Sequence, residues 1–355
     1  MVAAQLPRNW RELAQQHGLV PAKLATHLGA KVTDVGVPLR MALHHVATNT
    51  SLKTTTAMAA ASGLIDLSAV ALHKWMRKFA PFLAAVLRGL TDVARTFAAE
   101  RWAGYDILIV DASSVSRPGS EGTTARVHYA LRLTNLMPVQ IDVTDDTGGE
   151  TFRRFEGTVR AGQLWIGDRV YSNPPGVAAV TSKGADVLVR YNRGSLPLYD
   201  VDGRRLDVRR KLARLKEPTV PREWAAWIHP QGCDRIRGRL CAVRLPPDKA
   251  EEAQKRLRRE QGNDVTAESL EMAHFVVVFT TVPRDRLSLE RILELYALRW
   301  QVELSIKRDK SIAGLDRLPN FREDTIRTWI LAKMLLTQIA RNIATPNVAI
   351  PPCAA

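Results

Sequence analysis

The sequence predicts an α/β protein in which helices precede and follow a mixed sheet. Three observations carry this. Residues 8 to about 100 show helical rather than alternating apolar spacing. Residues 106–192 hold five short β-branched runs separated by turns and short helices, and the chain from 284 onward returns to long amphipathic helices. With 355 residues, 46% of them hydrophobic and 25% charged, the chain is a folded one of two or three domains.

Each element has its own signal. WRELAQQHG, VPAKLATHLGAK and LIDLSAVALHKWMRKFAPFLAAVLRGL supply helical periodicity over residues 1–100, with Asp66 placed to cap the last of them. This helical domain is a candidate for DNA binding, an all-helical packing module being the alternative reading. DILIVDASSV (106–115) reads as a buried strand interrupted by an acid, and RPGSEGTT as the turn after it. VHYALRLT (127–134) and PVQIDVTD (138–145) continue as a meander. ETFRRF begins a short helix near 150–155, LWIGDRV (164–170) is a strand, NPPGVAAVTSKG a turn and short helix, and ADVLVRYN (185–192) a fifth strand.

Residues 101–192 therefore open a sheet domain. Residues 193–283 mix strand signals with basic runs and read as an inserted, mostly β subdomain carrying an exposed charged helix at 249–260. The segment 284–345 completes the sheet domain with two helices, LSLERILELYALRWQVELSIKRDK and TIRTWILAKMLLTQIARNI, joined by GLDRLPN; 346–355 is a tail.

The net charge of +15 is unevenly placed. Lys and Arg outnumber Asp and Glu by 11 to 5 over 1–100, 19 to 14 over 184–283 and 12 to 8 over 284–355, but stand 9 to 9 over 101–183. A neutral centre between basic flanks suits a polyanion held at the sides of an acidic reaction site. Three cysteines form neither a disulfide framework nor a zinc pattern, which favours a reducing compartment. No secretory signal or membrane-length apolar run is present, so a cytoplasmic protein without membrane contact is expected.

Two acids stand out. Asp111 follows ILIV and Asp168 follows LWIG, settings in which an ionised carboxylate needs a cation, a metal or hydrogen bonds. Brought together at a sheet crevice they would repel one another and call for a divalent cation; magnesium accepts such oxygen ligands. Each also has a simpler reading as a turn cap or ion-pair partner. His128 and His274 lie in strand-like text and are poor ligands for so hard a cation, while Asp142, Asp145 and Asp146 read as a turn.

The stretch YALRWQVELSIKRDK (296–310) reads as one amphipathic helix burying Leu298, Val302 and Ile306. Its polar residues fall at Tyr296, Arg299, Glu303 and Lys310. That is the Y-x2-R-x3-E-x6-K spacing, and with Asp111 and Asp168 in order upstream the chain resembles the DDE-type transposases of bacterial insertion sequences, in the branch bearing this signature. The resemblance covers roughly residues 100–340. It implies a ribonuclease H-like sheet with an insertion before the last catalytic helix, and Asp111, Asp168 and Glu303 as catalytic metal ligands. Two Mg2+ ions are implied, with Mn2+ as substitute, Asp111 bridging both. Tyr296, Arg299 and Lys310, with Lys307, then contact DNA phosphates.

Other implied features lie in the insertion. Trp224 or Trp227 could stack a flipped base, though an ordinary strand pair is the plainer reading, and Arg204, Arg205, Arg209, Arg210 and Lys211 form a basic run for DNA contact. Trp300 and Trp329 read as packing residues. The implied partners are the inverted repeats of an element's ends and target DNA, held by a dimeric complex. The short tail after Asn342 suggests a free chain that is monomeric. Two other functions remain open: a metal-dependent nuclease without strand transfer, and an inactive DNA-binding protein of the same fold.

Overall fold

The computed structural model describes residues 5–20, 32, 34–91, 102–117, 119–134, 137–311, 314–315, 318 and 323–344. The helix expected in VPAKLATHLGAK, the GLDRLPN connection and the 346–355 tail lie wholly or largely outside the described residues.

Among the described residues four helices come first: α1 (Trp10–Gln16), α2 (Gly36–Thr48), α3 (Leu52–Ala61) and α4 (Ala69–Thr91). Ser51 starts α3 by accepting the Thr54 N–H at 3.0 Å. At α4 the capping acceptor is Ser68, which takes the Ala71 N–H at 3.2 Å, two residues beyond the expected Asp66.

The eight strands form one sheet. They are β1 (Asp106–Val115), β2 (Ala125–Arg132), β3 (Met137–Thr144), β4 (Gln163–Gly167), β5 (Asp186–Arg190), β6 (Arg222–Ile228), β7 (Ile236–Arg244) and β8 (Phe275–Thr280), in the order β3-β2-β1-β4-β5-β8-β7-β6. β1, β4 and β5 run parallel and the other pairings are antiparallel. This mixed sheet with flanking helices is consistent with the ribonuclease H-like expectation. Pro138 sits in β3, an edge strand, beside the register shift at Ala130/Leu131, a place where a missing N–H costs the sheet least.

Residues 193–283 differ from a self-contained β unit. β8 pairs with β5, and β7 and β6 follow outward, so the strands extend the first sheet. Helices α6 (Val208–Leu212), α7 (Pro247–Gln261) and α8 (Ala267–Met272) fill much of the remainder. An alternating pattern marks a strand but not its neighbour, which is decided by pairing across distance.

Two cores lie on the two sheet faces. One contains Leu108, Val110, Trp165, Val187, Val189 and Phe279 with α5 (Pro174–Thr181) and the 3₁₀ turn Phe152–Phe155. The other takes the alternate residues Ile107, Ile109, Tyr129, Ile166 and Leu188, and with them the N-terminal helices and the C-terminal helices α9 (Leu289–Ala297), α10 (Trp300–Ser311) and α11 (Glu323–Ala344). On α11, Ile330, Leu331, Leu335 and Ile339 are all buried, and Thr328 donates to the Met76 carbonyl of α4 at 2.6 Å. That face of α11 is therefore spent on the core.

One sequence expectation is corrected at the carboxyl end. The helix read through 296–310 is broken: α9 stops at Ala297 and α10 begins at Trp300. Between them the N–H groups of Leu298, Arg299, Gln301 and Val302 reach back three residues, to Leu295, Tyr296, Leu298 and Arg299, tightening the chain into 3₁₀ turns.

Candidate active site

Strand register brings the first two acids together. β1 and β4 are parallel with Ile109 opposite Ile166, and two residues further along come Asp111, within β1, and Asp168, just past the end of β4. Neighbouring strands lie about 4.8 Å apart, so the two carboxylates project from adjacent strands at one level. Asp111 shares the parity of Ile107 and Ile109 and so faces the core that holds α10. Its Oδ1 accepts the Ala112 N–H at 2.9 Å, while Asp168 Oδ1 accepts that of Val170 at 2.9 Å in the turn leaving β4.

Gly167 makes that turn possible. A Cβ there would stand 2.7 Å from Tyr171 Cβ and 3.1 Å from Phe152 Cζ, so only glycine lets Tyr171 fold back beneath the strand end. Tyr171 packs on Phe152 with ring centroids 5.2 Å apart.

Helix α10 supplies the third acid. Val302 and Ile306 are buried in the shared core, and the helix packs on β1. Lys310 Nζ donates to the Ser114 carbonyl at 2.8 Å. Seven helical residues from Glu303 to Lys310 cover about 10.5 Å, close to the about 10 Å of strand from Asp111 to Ser114. Anchoring Lys310 on Ser114 thus turns the Glu303 end of the helix toward the Asp111 end of β1. Arg299 Nη2 donates to Glu303 Oε1 at 2.6 Å, Arg299 being 19% exposed and Glu303 43%. Tyr296, on α9, is half-buried and acts electrostatically on Arg299; Lys307 is exposed.

The electrostatics identify Asp111 as the strained member. Burial, then the charges of Asp168 and Glu150, push its carboxyl up to about 7, against the Ala112 N–H and Arg299, which hold it down. Arg299 is also raised: burial lowers it, but Tyr296, Glu303 and Asp111 together outweigh that. The Tyr296 hydroxyl is raised by burial, with Arg190 and Arg299 opposing.

Carboxylate oxygens on adjacent chain segments are the donors a hard divalent cation takes, and the upward push on Asp111, due first to burial and then in part to Asp168, is one that a bound cation would offset. Asp111 and Asp168 fit such an ion in donor chemistry. Glu303 is instead bound to Arg299, and among the described residues no three His, Cys, Asp or Glu side chains are grouped to hold a metal. The structure brings the two strand acids together, therefore, without adding Glu303 to them.

The insertion residues separate. Trp224 and Trp227 lie three apart on β6 and so project from opposite faces. Trp224 packs against the core under Lys211, whose Nζ is 5.5 Å from its ring, and Trp227 carries the guanidinium groups of Arg235 and Arg237 at 6.0 and 5.9 Å. The two rings cannot serve one base. Arg204, Arg205, Arg209 and Arg210 are exposed, with Arg209 paired to Glu271 at 2.9 Å.

His128 is buried, bonded through Nε2 to Thr144 at 3.0 Å, and held down to about 4 by burial and by Arg154 and Arg126 despite Asp142. Asp145 forms the expected turn by accepting from the N–H and hydroxyl of Thr147. Trp329 is buried as expected, whereas Trp300 stands 48% exposed at the start of α10.

Sequence reasoning missed Glu150 and Tyr171. Glu150 is raised by burial and by Asp168, with Arg126 3.7 Å away opposing. Tyr171 is fully buried, its hydroxyl has no hydrogen-bond partner, and after burial the charges that raise it are Glu150, Asp111 and Asp168. The signal for Tyr171 was its position three residues after Asp168; Glu150 follows a glycine pair and carries none.

Comparison with known proteins matches residues 102–339 to the family described as Transposase DDE domain. The chain is 30% identical over 330 residues to InsL, the proposed transposase of insertion sequence element IS186A in Escherichia coli K12, covering 91% of this chain and 88% of that one. It is also 30% identical over 331 residues to the transposase of insertion sequence element IS421 from Escherichia coli, with coverage of 91% and 88%.

Proposed function

Since this chain belongs to the transposase DDE domain family, we propose that it cleaves DNA phosphodiesters at the ends of an insertion sequence and joins them to target DNA, using Asp111, Asp168 and Glu303. The observation that carries this reading is the level placement of Asp111 and Asp168 on parallel neighbours β1 and β4, with the helix bearing Glu303 packed on the same face. Mg2+, or Mn2+ in its place, would be held by these carboxylates; when bound it activates a water or 3′-hydroxyl and neutralises the leaving oxygen.

The chain's own groups bind and orient. Arg299 offers a planar fork that can take two oxygens of a phosphodiester, with Tyr296 packed behind it. Lys307 is exposed for a further phosphate, and Lys310 fixes the helix to β1 while keeping a charge near the strand end. The exposed arginines at 204, 205, 209 and 210 extend the positive surface toward flanking DNA. Two chains on two ends form the working complex.

The test incubates purified protein with a duplex bearing the element's end, Mg2+ and target DNA, and maps nicked and joined products. Asp111→Ala and Glu303→Gln should each lower cleavage by about 10³-fold or more while gel-shift binding persists. Full cleavage by either variant would remove that residue from the mechanism, and cleavage without joined products would favour the nuclease.

A further inference from the structure

In this structure the one carboxylate missing from the metal-binding set is the one already bound to a cation. Arg299 sits in the 3₁₀ link before α10, four residues ahead of Glu303, and their side chains meet at 2.6 Å. The same guanidinium also acts on the Asp111 carboxyl, so one cation serves a strand acid and the helix acid. Among the described residues no third His, Cys, Asp or Glu is grouped with Asp111 and Asp168 to hold a metal.

We propose that Arg299 couples metal binding to DNA binding: in the free protein it serves Glu303 as an internal counter-cation, and a DNA phosphate must draw it away before Glu303 can join Asp111 and Asp168. This rests on the transposase reading and adds an order of events to it. A phosphodiester and a carboxylate are rival anions for one guanidinium, each suited to its planar donors. Released from Arg299, the Glu303 carboxylate has both oxygens free to offer to a cation. Its greater exposure, 43% against 19% for Arg299, leaves its side chain the freer to reorient. The pair is half-exposed and its strength modest, so the restraint is one that a phosphate contact can overcome. The arrangement keeps the free protein from assembling a nuclease centre before a DNA strand is in place.

The experiment titrates Mn2+ into the full chain without DNA, read by electron paramagnetic resonance, for wild type, Arg299→Gln, Glu303→Gln, the double variant and Asp111→Ala. Arg299→Gln should bind Mn2+ about threefold or more tightly than wild type, the size expected of a half-exposed ion pair, and Glu303→Gln in the same chain should cancel the gain. In a second arm, Ca2+ should tighten binding of a labelled blunt-ended duplex, read by fluorescence anisotropy, in wild type and markedly less in Arg299→Gln, because linkage is reciprocal. Unchanged or weaker Mn2+ binding in Arg299→Gln overturns the proposal, as does a Ca2+ effect equal in both proteins or absent from wild type. Mn2+ binding that Asp111→Ala abolishes but Arg299→Gln leaves alone overturns this proposal only. Mn2+ binding indifferent to Asp111→Ala overturns the metal-carboxylate reading as well.

Discussion

A carboxylate in the middle of a strand is costly to the fold that carries it, and Asp111 shows the cost as a shift to about 7. Because the folded value lies above the unfolded one, the protonated form is favoured by folding. The penalty is absent below the unfolded value, grows as pH rises, and is complete once pH passes the folded value. Asparagine can still accept the Ala112 N–H and carries no such penalty. In metal-free buffer with a chelator, Asp111→Asn should therefore melt higher than wild type at pH 8, with the difference shrinking toward pH 4; thermal scans at the two pH values check it. An equal difference at both would show that packing, not charge, sets the cost. The sequence exposed this residue plainly, since an acid after ILIV has few comfortable settings. The same logic did not expose Glu150, whose proximity to Asp168 arises from loop geometry after β3. Nor did it show that Trp224 and Trp227 oppose one another, although two residues three apart in a strand must.

At the scale of elements, α10 is the part whose position decides the chemistry, and three attachments hold it: Val302 and Ile306 in the core, Lys310 on Ser114, and a buried ion pair. Asp309 is 1% exposed and meets Arg341 of α11 at 2.6 Å, with Ser305 3.4 Å from the same guanidinium. Burial raises the Asp309 carboxyl to about 6, with Arg341 opposing. Its second oxygen has no hydrogen-bond partner. Removing Arg341 would leave a buried charge without its cation, a change that costs about 3–5 kcal/mol. Arg341→Ala should lower stability by that order in urea titrations at pH 7.5, and by less near pH 5, where Asp309 takes up its proton; a loss under about 1 kcal/mol at pH 7.5 would mean the pair is not what pins the helix. The pair was invisible in sequence because its members lie far apart along the chain. The break at Leu298–Arg299 was equally hidden: apolar spacing continues through it, and no glycine or proline marks it. The strand runs were legible, β1 over its whole length, because alternation and β-branching act locally.

For the whole molecule, the helices before the sheet are part of its foundation. Trp75, Phe79 and Phe82 of α4 share one continuous core with Tyr129 and Val143 of the sheet and with Trp329 and Ile330 of α11. The opposite face has its own core of aromatic residues, Trp165 with Phe152 and Phe155, and does not depend on those helices. One face would thus keep its cover if the N-terminal segment were removed, and the other would lose the share that those helices supply. The apolar faces of α4 and α11 are buried in this core, and among the described residues no helix is long and apolar enough to cross a membrane. A chain beginning at residue 102 should consequently bare Trp329, Ile330 and Leu331, bind a hydrophobic dye, and unfold in urea over a broad range, while keeping much of its β-sheet circular dichroism. The same chain should hold α10 loosely, because α11 and its Arg341 would have lost their backing. Its Mn2+ binding should then fall even though Asp111, Asp168 and Glu303 are all retained. A truncated chain that unfolds as sharply as the full one, at the same urea midpoint, would show instead that the N-terminal helices rest on the sheet without supporting it.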